Sequence, residues 1–142
     1  MCPLTSGSCG AGGSMIFDTD VLIWFLRGDA AAARLIESQA DRALSAVSAM
    51  ELLQGARSRD EIKAIHQSMQ RNGIRLIPVN ESISHVAISL IEAYALSAGL
   101  RLADALIAAT AREAALPLAT ANARHFKAIA GLEVKAFRPG AG

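Results

Sequence analysis

Short apolar runs alternate along the chain with longer stretches in which apolar residues recur every three or four positions. Met15-Ile16-Phe17 is an apolar run closed by Asp18, the mark of a buried strand. Val21–Leu26 is mostly apolar and predicts a helix that stops at Arg27-Gly28. Asp29 can cap a second helix through Ala30–Gln39. Arg42–Val47 predicts a second strand, after which Ser48 opens a helix reaching about Gly55. Arg59–Arg71 carries Ile62, Ile65 and Met69 at helical spacing and stops at Gly73. Ile74–Val79 is a third strand, with Pro78 near its end.

The longest helix follows, with Ile83, Val86, Ala87, Leu90, Ile91 and Tyr94 on one face and Gly99 as its stop. Leu102–Leu116 predicts an Ala-rich helix, Leu118–Thr120 a fourth strand and Leu132–Phe137 a fifth at the edge. Strands alternating with helices at this spacing predict an α/β fold. Its four- or five-stranded sheet should be mainly parallel and covered on both faces. Residues 15–138 read as a single domain, without internal repeat or linker, and 139–142 as a flexible tail.

Composition narrows this only a little. Ala inflates the apolar share, and no apolar run approaches the roughly 18 residues that span a bilayer, so no membrane role is expected. The formal charge of +1 provides no overall basic field for nucleic acid. Contact with a polyanion would rest on local cations such as Arg27, Arg57, Arg59, Arg101 and Arg124, each of which could equally be a solvated surface residue. Both cysteines, Cys2 and Cys9, precede the body, so a reducing cytoplasm is the default location. The leader over residues 1–14 is rich in Gly and Ser, and has neither a basic start nor an apolar centre. It reads as a flexible leader, a cloning remnant or an over-extended start, with Met15 as the natural first residue, rather than as a secretory signal.

Four polar residues stand where strands end or helices begin: Asp18, Glu51, Asp104 and Asn122. In an open parallel sheet that is the edge which carries the chemistry. Converged, they would form a hard oxygen site for a divalent cation. Each also has a structural alternative. Asp18 can cap the first helix with one oxygen and keep the other free. Ser48-x-x-Glu51 has the form of a capping box. Asp104 gains from the helix dipole, although its apolar neighbours make a lone carboxylate costly there. Asn122 suits a turn. Thr120 can hydrogen-bond a ligand carboxylate from behind.

In order, the chain reads Met-Ile-Phe-Asp18-Thr19-Asp20-Val21, Ser48-x-x-Glu51-Leu52, Leu102-Ala103-Asp104-Ala105-Leu106-Ile107 and Thr120-x-Asn122-x-x-His125-Phe126. This series resembles the PIN-domain family, and within it the VapC-type ribonuclease toxins of bacterial toxin–antitoxin pairs. The resemblance spans essentially Met15–Phe137 and rests on the series rather than on any one motif. It implies a three-layer α/β/α PIN-like fold whose acidic residues hold one or two Mg²⁺ or Mn²⁺ ions and cut RNA. Asp18, Glu51 and Asp104 match the family's acidic positions, with Thr19 and Thr120 in support. Asp20 stands where many members have Asn, and Asn122 where many have Asp, so Asp20 could partly compensate. The resemblance also implies a cognate antitoxin and a homodimer. Trp24-Phe25-Leu26 is either the docking face for that antitoxin or ordinary core.

The expected chemistry is hydrolysis of an RNA phosphodiester by water, assisted by a divalent ion. No Ser–His or Cys–His nucleophile pair is evident, and His66, His85 and His125 read as structural or exposed. Two alternatives stay open. Phe17-Asp18-Thr19-Asp20-Val21 also resembles the opening motif of haloacid-dehalogenase-type phosphatases, although the later acidic pair of that family is missing. A PIN-like domain that only binds a partner is the other.

Overall fold

The computed structural model describes residues 12–140. The elements run β1 (Gly13–Phe17), α1 (Thr19–Leu26), α2 (Ala30–Glu37), β2 (Gln39–Ser45), α3 (Ala46–Gln54), α4 (Arg59–Arg71) and β3 (Ile74–Ile77). They continue with α5 (Glu81–Ala98), α6 (Leu102–Ala114), β4 (Leu118–Thr120), α7 (Ala123–Phe126) and β5 (Val134–Ala136). All four strand pairings are parallel, and the order across the sheet is β3-β2-β1-β4-β5.

Alternation within the central strands builds a core on each face. Ile16, Ala43 and Leu118 pack with Ile83, Leu90, Ile107 and Phe126 of α5, α6 and α7. Met15, Phe17, Leu44 and Ala119 pack on the other face with Val21, Leu22 and Ile36 of α1 and α2, and with Ile65 and Met69 of α4. Successive residues of β1 thus point to opposite layers, and both layers are helical. The expected three-layer sheet fold is the one observed.

Several boundaries differ from the sequence reading, each for a local reason. The first strand starts at Gly13, two residues before Met15, because Gly13 and Ser14 pair with Gln39 and Asp41 of β2. Residues 1–11 of the leader lie outside the described residues. The second helix ends at Glu37 and releases Gln39 to β2. That strand stops at Ser45, whose hydroxyl accepts the Val47 N–H at 3.0 Å and caps α3 in place of Ser48. The third strand ends at Ile77, since Pro78 has no N–H for the ladder. The sixth helix ends at Ala114, and Ala115 takes a left-handed φ of 55° without glycine. The edge strand is only Val134–Ala136, and the short α7 has too few residues to show a period. At the C-terminal end the Gly140 N–H donates to Asp29 Oδ1 at 2.9 Å, and residues 141–142 of the expected tail lie outside the described residues.

Candidate functional site

The chain builds β1, β2 and β3 outward in one direction and then crosses to β4 on the other side of β1. The carboxyl ends of β1 and β4 therefore flank the point where the winding reverses, the general ligand crevice of open parallel sheets. Asp18 follows the last residue of β1, and Thr120 is the last residue of β4. The Asp18 N–H donates to the Ala119 carbonyl at 2.9 Å, which fixes the two strand ends side by side.

Asp18 is buried and caps α1, accepting the Thr19 N–H on Oδ1 at 2.8 Å. Its Oδ2 is not free as expected, because the buried Thr120 hydroxyl donates to it at 2.7 Å. Each carboxylate oxygen has two lone pairs, so both retain accepting capacity. The Thr120 oxygen in turn accepts the Asn122 N–H at 3.0 Å, which tightens the turn after β4. Asp20, in the first turn of α1, reaches across to that same turn. It accepts the Ala121 N–H at 3.2 Å and the Asn122 side-chain amide at 3.1 Å.

The charges bear on one another. Burial, then the nearby Asp20 carboxylate, push the Asp18 carboxyl up to about 7; Thr120 and Thr19 oppose this as donors, and Asp104 adds to it. Burial also raises Asp20, against the pull of its Ala121, Val21, Thr120 and Asn122 donors. Asp104 is half-buried near the start of α6, whose first turn has no side-chain cap. Its charge acts on Asp18, so the structure brings Asp18, Asp20 and Asp104 into one neighbourhood.

Glu51 stands apart. Ser48 lies inside α3, so there is no capping box. Ser48 is instead fully buried with its hydroxyl 2.9 Å from Thr19 Oγ1, and Thr19 Oγ1 lies 2.5 Å from Glu51 Oε1. A carboxylate only accepts, so the Thr19 proton goes to Glu51 and Ser48 completes the relay. Ser48 is the residue whose part the sequence reading missed. Ser45 and Ser48 both suit a cap locally, and only the end of β2 decides between them.

Among the described residues, none of the ion pairs involves Asp18, Asp20, Asp104 or Glu51. Nor do any three His, Cys, Asp or Glu side chains stand close enough to enclose an ion by themselves. That donor set fits Mg²⁺ or Mn²⁺ rather than a metal needing an all-protein cage. Mg²⁺ characteristically takes one or two carboxylates and fills its remaining positions with water and substrate phosphate. Two uncompensated, hydrogen-bonded carboxylates next to a third meet that description.

A concavity of about 520 Å³ adjoins the site between α1, α3 and α4. Ile23, Leu26, Leu52 and Ile65 line it, with Glu51 and Glu61 among its polar residues. Of the two readings of Trp24-Phe25-Leu26, core packing holds for Trp24 and Phe25, whereas Leu26 is exposed together with Ile23. The cations divide as well. Arg57 pairs with Glu61 at 3.1 Å, and Arg27 lies over the Trp24 ring at 5.7 Å. Arg101 directly precedes α6 and Arg124 lies on α7; both are exposed beside the acidic edge, and Arg59 is exposed on α4. His66 and His85 are exposed, while His125 is half-buried on α7. Among the described residues, no helix is long and apolar enough to cross a membrane.

Comparison with known proteins agrees with this geometry. A search of curated proteins finds no significant match. Among solved structures, a toxin–antitoxin complex from Klebsiella pneumoniae is 28% identical with a TM-score of 0.73, covering 87% of this chain and 97% of that one. FitAcB from Neisseria gonorrhoeae is 26% identical with a TM-score of 0.66, covering 84% and 95%. VapBC2 from Rickettsia felis, bound to a promoter DNA fragment, is 17% identical with a TM-score of 0.75, covering 87% and 98%, and speaks to the fold alone. The PIN domain model matches residues 15–132. With the motif series, the parallel sheet and the acidic switch point already in place, the chain belongs to the PIN domain family.

Proposed function

We propose that this protein is a divalent-metal-dependent endoribonuclease, the toxin of a toxin–antitoxin pair. One observation carries the reading: three carboxylates, Asp18, Asp20 and Asp104, lie near the switch point of the sheet with no ion pair to balance them among the described residues. Family membership supports nuclease chemistry, and the likeness to toxin–antitoxin complexes supports the toxin role.

Asp18 and Asp104 are the main ligands for Mg²⁺ or Mn²⁺ in this reading, with Glu51 completing the shell or positioning water and Asn122 supporting the site from the turn after β4. A bound ion supplies charge neutralisation at the phosphate and makes a bound water more acidic. Thr120 holds one Asp18 oxygen, and the Thr19 N–H holds the other. Thr19 fixes Glu51 at the mouth of the site. Arg101 and Arg124 flank the acidic edge, where they can neutralise phosphates of an RNA strand. The antitoxin is proposed to cover the apolar concavity next to Glu51. The active species is a cytoplasmic homodimer. The haloacid-dehalogenase-type phosphatase alternative gives way to the PIN family match.

Incubation of purified protein with a structured RNA pool and Mg²⁺ or Mn²⁺ tests the proposal. Internal cleavage should depend on the metal, stop with a chelator and vanish in Asp18→Asn and Asp104→Asn. Cleavage that persists in both variants sinks it. Mn²⁺ binding without any cleavage by antitoxin-free protein favours the binding-module alternative.

A further inference from the structure

The turn after β4 and the first turn of α1 are tied together by one side chain from each. Asp20 extends from α1, and three donors surround it: the Ala121 N–H at 3.2 Å, the Asn122 side-chain amide at 3.1 Å and the Thr120 hydroxyl at 3.5 Å. The Thr120 proton is already given to Asp18 at the shorter distance of 2.7 Å, so it does not serve Asp20. Two donors from the turn remain, beside the Val21 N–H of its own helix. The Asn122 amide nitrogen donates to that carboxylate, so Asp20 sets the orientation of the Asn122 side chain. Asn122 also sits at the head of α7 with no side-chain cap bond there, which leaves Asp20 as its partner.

We infer that Asp20 is a direct ligand of the cation beside Asp18, and that Asn122 is a positioning residue which acts through Asp20 instead of binding the ion itself. The assignment rests on the metal-dependent reading of the site above, but on different atoms. An aspartate held by donors from its own helix and from the turn keeps its remaining lone pairs aimed in a fixed direction, which lowers the cost of ordering it around an ion. The arrangement is a clamp between α1 and the β4–α7 turn, which keeps the Asp20 carboxylate next to Asp18 despite their mutual repulsion.

Mn²⁺ affinity of the full chain, measured by calorimetry and by the free-ion EPR signal, tests this without reference to cleavage. Asp20→Asn keeps an acceptor for the Ala121 N–H and should retain the fold; Asn122→Ala removes the clamp, and Asn122→Ser serves if that variant folds poorly. Each single change should weaken Mn²⁺ binding by about tenfold. In the Asp20→Asn background, Asn122→Ala should change affinity by less than about twofold, because the clamp no longer has an anionic group to hold. Unchanged affinity in Asp20→Asn overturns the assignment, as do losses that simply add, which would make Asn122 an independent ligand. The expected pattern in a protein that cuts no RNA overturns the nuclease reading and leaves the clamp standing. Metal-dependent cleavage that survives with affinity unchanged in Asp20→Asn does the reverse.

Discussion

The hydroxyl of Thr120 donates to Asp18 Oδ2 at 2.7 Å across 102 positions of sequence, joining the ends of β1 and β4 inside the protein. The same oxygen accepts the Asn122 N–H, so a single side chain closes the turn and holds the buried carboxylate. Thr120→Val keeps the shape and leaves both groups unpaired. Thermal or urea unfolding should show a loss of about 1–3 kcal/mol. Thr120→Ser should recover most of it, along with metal binding.

The buried Asp18 carboxyl makes stability fall as pH rises in metal-free protein. Its value in the fold, about 7, lies above the 3.8 of the unfolded chain. Its contribution is fully present below about pH 4 and is lost as pH rises through 7, on the order of 4 kcal/mol at most. Asp20 acts in the same direction. Asp41 acts in the opposite one, since the Arg75 guanidinium holds it below the usual carboxylate range. The unfolding midpoint of Asp18→Asn should therefore depend less on pH between 5 and 8 than that of the parent.

Protons and a cation compete for the same oxygens. Added Mn²⁺ should raise the melting temperature more at pH 8 than at pH 5, and Asp104→Asn should shrink the difference. An equal rise at both values would place the bound ion elsewhere.

Glu51 depends on Thr19 for its direction, and Thr19 depends on Ser48. Thr19→Val should lower the cleavage rate by about tenfold, the equivalent of one charge-assisted hydrogen bond. Thr19→Ser should stay near the parent, and Ser48→Ala should fall between the two. The unfolding midpoint separates this from a general loss of fold.

A contrasting outcome is expected at the sheet edge. Arg75 meets Asp41 with two hydrogen bonds of 2.8 and 3.0 Å, linking β3 to β2, yet both side chains are substantially exposed. Asp41→Ala should cost about 0.2–1 kcal/mol, less in high salt, and leave cleavage unchanged.

Hydrophobic spacing was sufficient for the element order apart from the short α7, for the two-faced sheet and for the places of Asp18 and Asp104, because strand and helix periods are local properties of the chain. The motif series was likewise legible, since it is a matter of residue order. What depended on tertiary structure was every choice between locally equivalent groups. Ser45 and Ser48 are equally good caps in isolation, and the end of β2 selects Ser45, which frees Ser48 to support Thr19. Asn122 has the chemistry of a ligand or of a turn residue, and only the approach of α1 shows its amide nitrogen donating to Asp20. The sequence alone determined which oxygen-bearing side chains the site could use. Packing of β1 against β4 decided which of them share a neighbourhood, because hydrogen bonds spanning about a hundred residues cannot be read from local pattern.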